Sequence, residues 1–257
     1  MDLYTQNNSE QTRMTNKYKL NANEKMLQVL MHIASANEPV TAQTLSEQTG
    51  MPPSSVYRYL VILKNWNLIE ESPRQSCYSI GPAALQLLRN FQMFSPLSSG
   101  VHQVLKRVQQ QTGEMAAYLV PVGFRALCTA RVDSPHALRC AYEEGQSQPL
   151  IRGASSKVIL AHMPEQRVMS TLHHFGITEP EDVDRWQSEL AQIKHDGYAI
   201  STSEYDPGVS GVSAPVFSGN KIVGAVSVMA PEDRVIKRKN KIIFSVLQAA
   251  RVLPPDL

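Results

Sequence analysis

The stretch TAQTLSEQTGMPPSSVYRYLVILKNWNL, Thr41 to Leu68, decides the reading of the N-terminal half. Thr41 suits a helix N-cap, because its hydroxyl accepts a bond from a free first-turn N–H. Ala42, Leu45 and Thr49 then share a face, and Gly50 stands where a helix ends in a left-handed turn. Pro53 follows Met51 and Pro52 at the start of a second helix. Proline is tolerated there because the first helical N–H has no partner anyway. From Pro53 to Trp66 the spacing predicts a helix with Val56, Tyr59, Leu60 and Leu63 inward. Ser54, Arg58, Val61 and Ile62 face away from them, flanked by Ser55 and Tyr57. Hydroxyls, a guanidinium and an aromatic ring are what a recognition helix offers to bases and phosphates in the major groove. The same pattern fits an ordinary helical hairpin with Arg58 merely solvated.

The flanking sequence favours the first reading. Leu68-Ile69-Glu70 predicts a strand, Ser72 to Ser76 a turn and Cys77-Tyr78-Ser79-Ile80 a returning strand. A helix-turn-helix followed at once by a hairpin is the winged form, and Arg74 at the hairpin tip is placed for a phosphate or minor-groove contact. Upstream, Asn23 is expected to cap a helix carrying Met26, Leu30 and Ile33 on one face, ended by Glu38-Pro39. Residues 1–20 are polar and without periodicity, and are read as a disordered tail.

Composition narrows the class. A chain of 257 residues with 42% hydrophobic residues can bury one large core or two smaller ones. No apolar run reaches the length of a membrane span, and the first residues lack a hydrophobic signal region, so a cytoplasmic protein is expected. The three cysteines, Cys77, Cys128 and Cys140, form no CxxC pair, which argues against a zinc ribbon or a disulfide framework. No metal and no cofactor are expected. Residues 1–82 carry seven cations and seven anions, so bulk charge does not argue for nucleic acid. Residues 51–68 alone hold Arg58 and Lys64 without an acid. With so few cations a single copy would hold DNA weakly, since phosphate neutralisation supplies much of the affinity; an oligomer is therefore expected.

Beyond Gly81-Pro82, Ala83 to Phe94 reads as a linker helix broken at Ser95-Pro96. A further helix carrying Val101, Leu105 and Val108 stops at Gly113. These two helices can serve dimer contacts or pack on their own domain. Next come expected strands at Met115–Val120, Arg125–Arg131 and Leu138–Tyr142, and a loop from Gly145 to Leu150. Helices are expected at Ala154–Ala161, Glu165–Leu172 and Asp182–Asp196. Strands at Gly197–Ile200, Gly211–Phe217 and Lys221–Met229 precede a last helix, Glu232–Leu253. That helix carries a basic patch of Arg234, Lys237, Arg238, Lys239 and Lys241, read as a solvated face. The expected division is a tail over 1–20, a winged domain over 21–82, a linker helix over 83–96 and an α+β domain over 97–257, its sheet mostly antiparallel.

Two polar glycine-containing segments stand out in that last domain. In Arg152-Gly153-Ala154-Ser155-Ser156-Lys157, small residues open a helix whose dipole and free N–H groups favour an anion. Ser201 to Ser213 is crowded with hydroxyls and bends at Gly208 and Gly211. Together they would form a polar pocket, with Arg131, Arg139 and Arg152 available as a carboxylate clamp; apart, they are surface loops. No GxSxG elbow, HExxH motif or phosphate loop occurs, and Ala154 stands where a Ser-x-x-Lys nucleophile would need serine, so no catalytic residue is assigned and no enzyme is expected.

Over residues 22–253 the chain resembles the IclR family of bacterial transcription regulators. The resemblance rests on VTAQTLSEQTGMPPSSVYRYLVILKNWNLIE, on YSIG at the end of the wing, on PLIRGASSKVILA, and above all on LAQIKHDGYAISTSEYDPGVSGVSAPVFSGNKIVGAVSVMAP. It implies a winged helix-turn-helix domain, a helical linker and a GAF-like effector-binding domain. It also implies a homodimer or homotetramer on partly palindromic double-stranded operator DNA, repressing or activating catabolic genes. Carried over, DNA contacts fall on Thr41, Ser54, Ser55, Tyr57, Arg58 and Arg74. The effector, expected to be a small carboxylate, falls on Cys140, Ala154, Ser155, Ser203, Gly211, Ser213, Ser227 and Met229. The chain departs from the family pattern at Ser156 and Asn67, where glycine is usual. A competing reading is a sensor or enzyme whose winged domain contacts protein instead of DNA.

Overall fold

The computed structural model describes residues 20–36, 38–72, 76–94, 97–140 and 142–253. The expected tail up to Lys19, the wing tip with Arg74, and the Ser95-Pro96 break lie outside them. The chain divides between Met93 and Phe94 into two compact units.

The N-terminal unit is a helical trio with a small sheet. Helix α1 (Ala22–Ser35) is capped by Asn21, not Asn23 as expected. The Asn21 side chain accepts the Asn23 and Glu24 N–H groups, and Glu24 accepts the N–H of Asn21 at 2.8 Å. Glu24 sits at the third helical position, so this reciprocal pair fixes the cap two residues earlier. Strand β1 (Val40–Thr41) leads into α2 (Ala42–Thr49), where Thr41 Oγ1 accepts the Thr44 N–H at 3.1 Å and Gly50 ends the helix at φ 66°. Helix α3 (Pro53–Asn65) follows, with Pro53 in its first turn. Strands β2 (Ile69–Ser72) and β3 (Cys77–Ile80) pair antiparallel, and β1 adds to β3, giving the order β1-β3-β2. Val29, Leu45, Val56, Leu60 and Leu63 are almost wholly buried together and form the core. Each such side chain contributes about 1.5–3 kcal/mol.

Asn67 explains how glycine is dispensed with after α3. It adopts φ 53°, its N–H donates to Lys64 O, and the Leu68 N–H reaches Leu63 O at 3.0 Å. This is the paired closure that ends helices in the left-handed region, where asparagine is the tolerated substitute for glycine. Helix α4 (Ala83–Phe94) then leaves the wing.

The C-terminal unit opens with α5 (Leu97–Thr112). Its six-stranded antiparallel sheet has the order β6-β5-β4-β9-β8-β7. The strands are β4 (Met115–Val122), β5 (Arg125–Val132), β6 (Ser147–Pro149), β7 (Ala199–Thr202), β8 (Val209–Ser218) and β9 (Lys221–Pro231). Helices α6 (Ala154–Ala161), α7 (Glu165–His174) and α8 (Pro180–Asp196) intervene, and α9 (Glu232–Val252) closes the unit. Both faces of the sheet are covered. Met115, Ala117 and Leu119 point into the core shared with α6, α7 and α8, while Ala116 and Tyr118 point into the core shared with α5 and α9. Alternation along β4 thus feeds two cores, which is why this strand reads as a continuous apolar run.

Two expectations fail here. The described residues of Leu138–Tyr142 are not a strand, and part of the expected 145–150 loop is β6. β6 takes the edge of β5 over Arg125–Leu127. The 138–142 segment is instead pinned by side chains: Arg234 Nη2 donates to Leu138 O and Arg131 Nη1 to Tyr142 O. Among the described residues no helix is long and apolar enough to cross a membrane.

Candidate functional sites

The first site is the outer face of α3. Tyr59, Leu60 and Leu63 are buried, whereas Ser54, Tyr57, Arg58, Val61 and Ile62 are exposed and Ser55 is half-buried. The outward row named from the sequence is therefore present on one helix face. Arg58 is not free-swinging: its guanidinium lies 5.2 Å from the Tyr59 ring centroid and Nη2 reaches Tyr59 Oη at 3.4 Å. Stacking narrows its rotamers while leaving donors outward. Thr41 is half-buried as the cap of α2, its hydroxyl spent on Thr44. Lys64, the other cation of this stretch, is paired with Glu71 on the wing.

The second site is a cavity of about 40 Å³ inside the C-terminal unit. Its wall brings together Cys140, Ala154, Ser155, Gly211, Ser213 and Met229, six of the eight effector residues named from the sequence. Ser203 and Ser227 are elsewhere. Ser203 Oγ accepts the Gly208 N–H within the 203–208 turn, and Ser227 lies buried with its hydroxyl 2.6 Å from Ser213 Oγ. None of Arg131, Arg139 and Arg152 lines the cavity, correcting the expected clamp. Arg131 is held by Asp133 and the Tyr142 carbonyl, while Arg139 and Arg152 are exposed.

Why the pocket has this shape follows from its joints. Gly153, at φ 82°, turns the chain into α6, and its N–H donates to Glu204 Oε2 at 3.0 Å. The Ala154 N–H donates to Ser201 Oγ at 3.0 Å, tying the helix start to β7. Glu204 Oε1 also takes Lys157 Nζ at 2.8 Å, and Glu189 on α8 takes it at 2.7 Å. Burial alone would lower the Lys157 pKa, but these two carboxylates overcome it and raise the group above its usual value. Lys157 is thus a fixed cation holding the 203–208 turn over the helix start, and not a base beside Ser155 or Ser156. Gln148 Nε2 donates to Ser155 Oγ at 2.7 Å, and a Cβ at Gly153 would lie 3.0 Å from that nitrogen and crowd it. Burial pushes the Cys140 thiol up to about 11, so it meets the cavity as a neutral group.

Sequence reasoning missed Tyr142, Gln148, Tyr205 and Asp206 on the wall. Their spacing has no period; only the fold of the 138–149 segment and the 203–208 turn brings them together. It also misjudged the basic patch of α9. Arg234 Nη2 lies 2.9 Å from the buried Glu114 carboxylate and Arg238 donates to Thr112 O, so two of its cations clamp the start of β4.

A winged helix-turn-helix unit joined by a helix to an α+β unit with an internal polar pocket defines a ligand-responsive DNA-binding regulator. Comparisons sharpen the class. Residues 23–73 match the IclR helix-turn-helix domain and residues 95–253 match the C-terminal domain of bacterial transcriptional regulators of the IclR type. The chain belongs to the IclR family of transcriptional regulators. It is 25% identical to the transcriptional repressor IclR of Escherichia coli K12, over 81% of this chain and 79% of that protein. It is 24% identical to the acetate operon repressor of Salmonella typhimurium, over 88% and 85% respectively. The C-terminal domain of a Vibrio cholerae protein assigned to the transcriptional regulators is 56% identical, with a TM-score of 0.60, covering 63% of this chain and 99% of that one. An IclR family regulator of Brucella abortus shares the fold across 93% of each chain, with a TM-score of 0.76 at 17% identity.

Proposed function

We propose that this chain is a repressor of catabolic genes whose operator affinity is set by a small carboxylate bound in the C-terminal pocket. The observation that carries the DNA half is the outward row Ser54, Tyr57, Arg58 and Val61 over a helix whose opposite side is buried. The N-terminal half of α3 enters the major groove, Ser54 and Ser55 meet phosphates, Tyr57 and Arg58 meet base edges, and Arg74 on the wing reaches a flanking phosphate. Residues 21–82 serve as the DNA-binding domain and α4 as the linker. Repression is supported by the names of the relatives given above, one of them an acetate operon repressor.

The effector half rests on the start of α6. Among the described residues the N–H groups of Ser155 and Ser156 have no protein acceptor, whereas those of Gly153 and Ala154 are taken. Free N–H groups in the first turn of a helix, with Ser155 on the cavity wall, suit a carboxylate. Assembly into dimers or dimers of dimers is supported by α4, whose Leu85, Leu87, Leu88 and Phe91 are exposed. A row of that kind on one helix suits a second copy.

Fluorescence anisotropy of the full-length protein on DNA flanking its own gene, against a scrambled duplex at two salt concentrations, tests the reading. Selective binding with a steep salt slope is expected. Equal weak binding to both duplexes, unchanged by any small acid, would overturn it.

A further inference from the structure

We propose that Tyr142 is the specificity residue of this pocket, and that the ligand it selects is a short hydroxy monocarboxylate of two to four carbons. The inference rests on the pocket reading given above and adds to it the chemistry of the second anchor.

Three observations converge. Tyr142 lines the cavity and is only 4% exposed, yet its hydroxyl, wholly buried, has no hydrogen-bond partner among the described residues. A buried hydroxyl without a partner is costly, and native structures keep one chiefly where an unseen group completes it. Burial raises the phenol pKa, so the group is a neutral O–H and can donate. The ring is fixed edge-on against Tyr205 at 5.9 Å between centroids, which holds the hydroxyl in place.

The rest of the wall defines what Tyr142 donates to. The free N–H of Ser155, at the start of α6 on the wall, takes the carboxylate, leaving the phenol for a second oxygen on the same ligand. Asp206, exposed beside the cavity, is the only formally charged side chain on the wall among the described residues. A carboxylate there accepts from a ligand hydroxyl and repels a second ligand carboxylate, which selects hydroxy monoacids over diacids. Size sets the length. About 40 Å³ is a few times the roughly 10–15 Å³ that holds one water, which suits an acid of few carbons.

Calorimetry with matched probes tests this in the full-length protein: glycolate against acetate, and lactate against propionate. The hydroxy acid of each pair is expected to bind about tenfold more tightly, the worth of one hydrogen bond to a buried donor. Tyr142→Phe is expected to collapse that ratio to near one by weakening the hydroxy acids about tenfold, and not to lower Tm, because it deletes an unpartnered hydroxyl. A ratio unchanged in Tyr142→Phe overturns the assignment. If the hydroxy acids fail while benzoate or succinate binds and is lost in the pocket-filling Gly211→Phe, the proposal falls and the pocket reading stands. If none of these acids binds, both fall.

Discussion

The carbonyl of Asn67 accepts the N–H of Ala83 at 3.0 Å, so the end of α3 is joined directly to the start of α4. A second bond, Gly81 N–H to Leu68 O at 2.9 Å, runs beside it. Any displacement of α4 therefore pulls on the terminus of the helix that carries Arg58. Effector control needs such a joint, because a ligand can act on DNA affinity only through an arrangement it favours.

Gly81 is the vulnerable point of that joint. A Cβ there would lie 2.4 Å from Asn67 O and 3.0 Å from Ile69 C, both backbone atoms that cannot rotate away. Gly81→Ala is expected to cost about 2–3 kcal/mol, in the range of overpacked cores. Hydrogen exchange should quicken over residues 22–80 and stay unchanged in the sheet of the C-terminal unit. Uniform protection in both units would refute the clash.

Arg58 is held over Tyr59, which makes its chemistry testable apart from its charge. Arg58→Ala is expected to lower specific operator affinity by about 1–3 kcal/mol if the guanidinium pairs bidentately with a guanine. Arg58→Lys should recover the salt slope but little of the selectivity, since an ammonium cannot form the two-pronged contact. Full recovery of selectivity by lysine would reassign Arg58 to a phosphate.

How much of this was readable in the sequence depended on whether local rules governed. Thr41, Gly50 and Pro53 set their helix boundaries by caps and backbone geometry, which are local, and all three do so in the structure. Asn21 was missed in favour of Asn23 because either can cap, and only the position of Glu24 discriminates. The pocket was half legible. Ala154, Ser155 and Gly211 belong to motifs contiguous in sequence, whereas Tyr142 and Gln148 reach the wall through a segment held by Arg131 and Arg234 from distant elements. Ionic partners also have no sequence signature here: Glu204 is 47 residues from Lys157.

Lys157 offers a stability test of the pocket frame. Lys157→Met removes the cation shared by Glu189 and Glu204 and leaves the half-buried Glu204 carboxylate facing the helix start with only the Gly153 N–H as a partner. A loss of about 2 kcal/mol is expected from urea unfolding, discounted because both acids are partly exposed. The raised Lys157 pKa fixes the pH window. A group bound more tightly in its protonated form contributes fully below its unfolded value of 10.5 and loses that contribution as pH rises through the higher folded value. The stability gap between wild type and Lys157→Met should therefore be flat between neutral pH and 10, and close only above 10.5. A gap already closing at pH 8 would show that the ion pair is not its source.

His162 runs the opposite way. It caps the end of α6, with Nδ1 2.9 Å from Val158 O and its ring edge-on to Phe217 at 5.1 Å. The carbonyl only accepts, so Nδ1 carries the proton. Burial lowers its pKa more than that bond raises it, and nearby Lys194 lowers it further. Here the folded state prefers the neutral ring, so the contribution is complete above the unfolded value of 6.5 and is lost as pH falls below it. Wild-type Tm should then drop between pH 7.5 and pH 5 by more than that of His162→Leu, whose side chain fills the same apolar contact with Phe217 and cannot charge. Identical slopes for the two proteins over that interval would mean that the ring meets water when it protonates, and that the end of α6 opens without cost to the cavity at its start.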